Sequence, residues 1–183
     1  MRCFVAWNPS PREAGSLVSV RDAVRAERDA PGYRWLAREQ LHVTLRFLGA
    51  TTDVQRVALE QALGELASRS TALSAQVAGW QYWPDRRTPR VLVLRIESRG
   101  ALEQLATQIE LAARLAGFAP EPRAFRAHLT LARMSYLERL PDAFTAPPPP
   151  VALALDHLAL MRSDPGPDGS IYSELARFPL AAA

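Results

Sequence analysis

The sequence predicts an α+β fold of two lobes that share one cleft. Three observations predict it. Strand-like and helix-like segments follow one another in the order βα(β)β–αββ–αβ–ββ, which does not fit a doubly wound parallel sheet. The tripeptide His-x-Thr occurs twice, in Leu41-His42-Val43-Thr44-Leu45 and in Ala127-His128-Leu129-Thr130-Leu131, 86 residues apart. Each copy follows a helix-like segment in a similar helix–strand setting, as an internal duplication would leave it.

Residues 2–7 read as an opening strand that Asn8-Pro9-Ser10-Pro11 ends. Residues 13–28 read as a helix with a thin apolar stripe of Leu17, Val20 and Val24, closed by Pro31-Gly32. Residues 34–36 form a short strand before the first His strand at 41–48, which Gly49 ends. Thr52 or Asp53 caps the next helix, whose Val54, Val57, Leu59, Leu63 and Leu66 stand near helical spacing. Strands at 73–83 and 90–96 are joined by the turn-rich residues 84–89. A third helix at 101–115 carries Leu102, Leu105, Ile109 and Ala112 on one stripe and stops at Gly117. The second His strand spans 125–133. Pro147 to Pro150 form an extended spacer. Strands at 151–161 and 170–178 then form a hairpin, signalled by Asp168-Gly169.

Composition bounds the function. The chain has 183 residues, enough for one domain with a real core, and is expected to be a single two-lobed domain over 1–183. Hydrophobic residues make up 48% and charged residues 22%, ordinary globular values, and no apolar run is long enough to span a membrane. The single cysteine, Cys3, permits neither an internal disulfide nor a cysteine-based zinc cage. With no signal peptide visible, a cytoplasmic monomer without an obligate protein partner is the expectation. Net charge is +3, too modest for a nonspecific duplex binder, and all the basic side chains are arginine. Guanidinium forks suit phosphate, although compositional bias, with Ala, Pro and Arg abundant throughout, is the ordinary reason for the absence of lysine.

In a strand, residues i and i+2 share a face. Strict alternation therefore sends Leu41, Val43, Leu45 and Phe47 to the core, and His42, Thr44, Arg46 and Leu48 to the opposite face. In the second copy Ala127, Leu129 and Leu131 go inward, while Arg126, His128, Thr130 and Ala132 face the cleft. A lone strand histidine is ordinarily a hydrogen-bonded side chain with no chemistry. Two matched copies that hold two of only three histidines overturn that weighing. His157 has no threonine two residues on and is read as structural.

Two imidazoles and two hydroxyls around one spot are equipment for acid–base chemistry on a phosphodiester. Opening a cyclic phosphodiester with water needs a base for the water proton and an acid for the leaving alkoxide. Histidine, with an ordinary pKa of about 6.5, supplies both states near neutrality. Threonine hydroxyls can hold the phosphoryl oxygens as they gain charge. This chemistry requires no metal or cofactor.

The paired motifs resemble the twin His-x-Thr motifs of the two-histidine phosphoesterase superfamily, and within it the RNA 2′,3′-cyclic phosphodiesterases, also called 2′-5′ RNA ligases. The resemblance extends through Arg34-Trp35, Arg46-Phe47-Leu48-Gly49, Pro89-Arg90-Val91-Leu92, Gly117-Phe118, Phe125-Arg126 and Ala132-Arg133. It continues through Leu160-Met161-Arg162-Ser163 with Gly169, Tyr172 and Phe178. It implies a bilobal fold whose two antiparallel sheets face a central, basic cleft, with helices outside. It also implies His42 as proton donor, His128 as proton acceptor, Thr44 and Thr130 on the phosphate, and RNA ends or small cyclic nucleotides opened to 2′-phosphates, with 2′-5′ ligation as the reverse reaction. Arg133 is carried over as a cleft residue, although its parity is opposite to that of His128 unless the strand bends. Arg46 and Arg126 share the catalytic parity.

Three rival readings remain at this stage. One is an RNA-binding relic without catalysis. Another is a metallohydrolase using the histidines as ligands, against which neither motif carries Asp or Glu at ligand spacing. The third keeps the chemistry but takes a 2′-5′ oligonucleotide or an ADP-ribose cyclic phosphate. Trp7, Trp35 and Trp83 are the candidate base-stacking aromatics.

Overall fold

The computed structural model describes residues 1–29, 31–135, 143–167 and 169–182. Among these, nine strands form one strongly curled antiparallel sheet, with three helices packed on it. The elements are β1 (Arg2–Trp7), α1 (Pro11–Arg28), β2 (Tyr33–Trp35), a 3-10 turn at Arg38–Gln40, β3 (Val43–Ala50), α2 (Asp53–Ala67), β4 (Leu73–Trp83), β5 (Val91–Glu97), α3 (Ala101–Leu115), β6 (His128–Met134), β7 (Ala152–Leu155), β8 (His157–Gly166) and β9 (Gly169–Pro179). The strand order is β7-β4-β5-β6-β3-β1-β8-β9, with β2 beside β6.

The two halves expected from the duplicated motif meet at the centre of this order, where β3 and β6 pair through Val43 and Leu129. Each His strand has its own outer neighbour, β1 for β3 and β5 for β6. The helix-covered face is the main core, built from Trp7, Leu17, Leu59, Leu92, Ile109 and Leu158 among others. A small second cluster of Phe4, Ala6, Ala159 and Met161, with Tyr172 against it, lies on the other face of β1 and β8.

Local chemistry explains most boundaries, and several differ from the alternation and spacing argument. Helix α1 starts earlier than residue 13, because Ser10 and Glu13 form a reciprocal capping box with Pro11 in the first turn. Thr52 caps α2 through Gln55 in the same way. Val54 and Val57, expected on its apolar stripe, are exposed, and its buried side chains are Leu59, Leu63 and Ala67. The strand expected at 151–161 is broken at Asp156 into β7 and β8. The hairpin between β8 and β9 closes at Gly166 opposite Gly169, while Asp168 of its turn signal lies outside the described residues.

Strict alternation fails just after each motif, for one physical reason. Ala6 faces Thr44 and Val5 faces Arg46, so Leu45 has no partner on β1. Val93 faces Thr130 and Leu92 faces Ala132, so Leu131 has none on β5. The leucine after each His-x-Thr is therefore the extra residue of a β-bulge, which turns the following side chains to the other face. Both leucines are buried in the core, and the Leu131 carbonyl accepts a 2.9 Å hydrogen bond from the amide of Leu36, just after β2.

Candidate active site

The pairing of Val43 with Leu129 fixes the site. In an antiparallel ladder the residues on either side of such a pair also stand opposite one another. His42 is thus set across from Thr130, and Thr44 across from His128. All four side chains leave the sheet on the face opposite Val43 and Leu129, which are fully buried in the core. The structure brings together the four residues that alternation placed on the cleft.

The imidazoles are oriented alike. His42 Nδ1 is 2.7 Å from the Gln40 carbonyl, and His128 Nδ1 is 2.6 Å from the Arg126 carbonyl. A carbonyl can only accept, so Nδ1 carries the hydrogen in both rings and Nε2 is the nitrogen left for chemistry. His42 Nε2 is 3.0 Å from Thr44 Oγ1, whose hydroxyl donates to it when the ring is neutral. In each copy the carbonyl comes from the residue two before the histidine, so the motif orients its own ring.

Their surroundings differ. The centre of the His42 ring lies 5.0 Å from that of Phe4 and 5.1 Å from that of Tyr172, the latter in a T-shaped contact, and the Phe4 and Tyr172 ring centres are 5.2 Å apart. Burial in this aromatic box holds the His42 pKa down to about 4, against the Gln40 bond that favours the charged ring; the positive charges of His128 and Arg133 add smaller downward pushes. His128 is also held below its ordinary value by burial, opposed by its bond to Arg126, while the Arg126 charge adds a smaller push. One face of His128 meets Trp83 at 4.3 Å.

The stability consequence has a definite sign. An unfolded His42 takes up a proton near pH 6.5, while the buried ring resists until about pH 4. Its contribution is complete above pH 6.5 and is lost as the pH falls from 6.5 towards 4. Urea unfolding over that range should show stability falling with acidification. The fall should flatten in His42→Gln; an unchanged slope in that variant would contradict the assignment.

The bulges redistribute the three candidate arginines. Arg133 faces Val91 and follows the bulged Leu131, so it stands on the same face as His128 and within electrostatic reach of His42. The bend that its parity demanded is present. Arg46 is moved the other way: it pairs with Val5, a core residue, and is 7% exposed. Its guanidinium is held by Glu110 of α3, by the Phe47 carbonyl, by the Ala119 carbonyl at 2.6 Å and by Glu121 at 3.6 Å. Its expected place on the catalytic face is thus corrected. It forms part of the wall and ties down the segment leading to His128. Phe47, expected in the core, emerges on the cleft face instead, 47% exposed and opposite Phe4. Arg126 stays at the mouth of the site, exposed, 4.2 Å above the Trp83 ring and hydrogen-bonded to Gln81.

On the His128 side the cleft opens into a cavity of about 770 Å³, lined by Thr44, Phe47, Trp83, Phe125, Arg126 and His128 among others. Of the three tryptophans weighed from the sequence, only Trp83 lines it. Trp7 is fully buried, and Trp35 stacks on Tyr33 and donates to Asp29. The sequence gives no sign that Phe4 packs on His42, and Tyr172 enters only through the family resemblance, because they lie 38 and 130 residues from His42 with no shared pattern. His157, read as structural, is buried and bonds Asp156 at 2.6 Å. Among the described residues, no three His, Cys, Asp or Glu side chains are grouped to hold a metal ion, and no helix is long and apolar enough to cross a membrane.

Comparison with known proteins bears on the family and the fold. The family model described as LigT-like phosphoesterase matches residues 9–93 and 95–172. A Bacillus subtilis (strain 168) protein named RNA 2′,3′-cyclic phosphodiesterase is 37% identical over 123 residues, 67% of each chain. A protein of the same name from Thermus thermophilus is 32% identical over 191 residues, covering 98% of this chain and 90% of its own. Among solved structures, a Thermus thermophilus protein superposes with a TM-score of 0.79 at 27% identity, covering 100% of this chain and 99% of its own. E. coli LigT complexed with 3′-AMP gives 0.76 at 26% identity, covering 98% and 97%.

Proposed function

Because the chain belongs to the LigT-like phosphoesterase family, we propose that it opens RNA 2′,3′-cyclic phosphate ends to 2′-phosphates by metal-independent acid–base catalysis. The observation that carries this reading is the pairing of Val43 with Leu129, from which two His–Thr couples share one face of the sheet. The cyclic phosphate sits between them. Thr44 and Thr130 donate to its non-bridging oxygens, and Arg133 adds positive charge on the same face. His128 Nε2 removes a proton from the attacking water, and His42 Nε2 delivers one to the departing 3′-oxygen. General acid and general base each contribute about 10²–10⁴-fold.

Burial leaves both rings reluctant to carry a proton in the free protein, and His42 in particular. The donor role of His42 therefore draws on the phosphate itself, whose negative charge favours the protonated ring. The apolar cavity beside His128 suits the base, with Trp83 and the exposed face of Phe47 as stacking surfaces. The same reading takes the protein as a cytoplasmic monomer acting on RNA ends or small cyclic nucleotides, with 2′-5′ ligation as the reverse of the cleavage step.

The test is incubation of the purified protein with adenosine 2′,3′-cyclic phosphate in excess chelator, followed by phosphorus NMR. A 2′-phosphomonoester at an undiminished rate is the expected result. Loss of turnover on chelation overturns the metal-free mechanism, and a 3′-phosphate product overturns the assignment of the leaving oxygen.

A further inference from the structure

The cleft does not end at the first cavity. A second one, of about 530 Å³, adjoins it and shares Trp83, Phe125 and Arg126 as its wall. Its floor is the continuation of the catalytic face. On β5, Leu94 and Ile96 point into the core, so Arg95 points to the opposite face, where its cross-strand partner is His128 itself. On β4, Gln81 faces Val93, and Gly79 faces Arg95 with nothing within 4 Å of where a Cβ would stand, which leaves the sheet open beside the arginine. Arg99 joins from the start of α3.

Arg95 and Arg99 are exposed, and among the described residues neither makes an ion pair. This holds although Glu97 and Glu103 line the same cavity. Their charge is therefore available to a ligand. The equivalent floor around His42 is different in kind, filled by Phe4, Ala6, Ala159 and Met161 under Tyr172. Among the described residues, the cavity that carries Arg95 and Arg99 lies on the His128 side of the reaction centre.

A strand ending in a 2′,3′-cyclic phosphate has just one direction in which to continue, through the 5′-oxygen of its last nucleotide. We infer that Arg95 and Arg99, with Gln81 beside them, bind the phosphodiester on the 5′ side of that nucleotide, so that the protein reads a strand end rather than a mononucleotide. This rests on the cyclic-phosphate reading above and extends it by one subsite. Arg126, stacked on Trp83 where the two cavities meet, marks the passage between base and backbone.

The test compares adenosine 2′,3′-cyclic phosphate with the adenylyl-adenosine dinucleotide bearing the same cyclic end, in the wild-type protein and in Arg95→Gln/Arg99→Gln. The wild type should favour the dinucleotide about tenfold in kcat/KM, a preference that collapses towards one in the variant. The logarithmic salt dependence for the dinucleotide should be steeper by about 0.7 in the wild type and should level in the variant. Equal kcat/KM for the two substrates in the wild type, or a variant that loses both substrates alike, overturns the subsite. If neither substrate is turned over, the cyclic-phosphate reading fails on its own. Calorimetric binding of the 3′-phosphorylated dinucleotide against 3′-AMP then decides the subsite, which stands if the longer ligand's advantage is lost in the variant and falls if there is none.

Discussion

Replacing His42 with Ala is expected to lower kcat/KM on a 2′,3′-cyclic nucleotide by about 10²–10⁴-fold, and His128→Ala by a similar factor. The double variant should fall little below either single one, because donor and acceptor act in the same transition state. Thermal unfolding at neutral pH should stay nearer wild type in His128→Ala than in His42→Ala, whose ring packs against Phe4 and Tyr172. A p-nitrophenyl phosphodiester separates their roles, because its leaving group departs without a proton. On it His42→Ala should keep more of the wild-type rate than His128→Ala. The reverse ranking would make His128 the donor, and wild-type rates in both variants on the cyclic substrate would overturn the mechanism.

The second large effect concerns Arg46. Its guanidinium is almost fully buried and satisfies Glu110, Glu121 and two backbone carbonyls. Arg46→Met leaves the carboxylates and the Ala119 carbonyl facing an apolar side chain. The expected loss is about 3–5 kcal/mol by urea unfolding, or roughly 10 °C in Tm for a chain of this size. Turnover should fall as well, because the segment Arg46 anchors runs on to Arg126, whose carbonyl orients His128. Adding Glu110→Gln should restore part of the stability, as a double-mutant cycle on a coupled pair requires. A loss under about 1 kcal/mol in Arg46→Met would show that the network anchors nothing.

The quartet of His42, Thr44, His128 and Thr130 on the cleft face was legible because His and Thr lie two residues apart, within the reach of strand alternation. Arg46, Phe47 and Arg133 lie beyond a bulge, and a bulge is a mismatch in count between two strands. Its cause is the register of β1 against β3 and of β5 against β6, which no single segment carries. Alternation thus sent Arg46 and Phe47 to the wrong faces and left Arg133 conditional on a bend. The aromatic box was hidden for a related reason, since Phe4 and Tyr172 meet only after β1 and β8 pair and β9 folds back. Helix starts were partly legible, with the Ser10 to Glu13 spacing present in the sequence. Which residues of α2 face solvent was decided by its neighbours rather than by its own periodicity.

The seam between the halves has a consequence for synthesis. β1 lies between β3, which follows it closely, and β8, which begins at His157. His42 and Thr44 leave the ribosome long before the strand that brings His128, and longer still before Tyr172 closes over the ring. Pairings between residues so far apart form late, because the loop must close before the contact rewards it. A nascent chain therefore has the His42–Thr44 half of the cleft face and lacks the His128–Thr130 half. The paired His–Thr face exists only once β6 has emerged and docked against β3, and the aromatic box around His42 only once β9 has folded back.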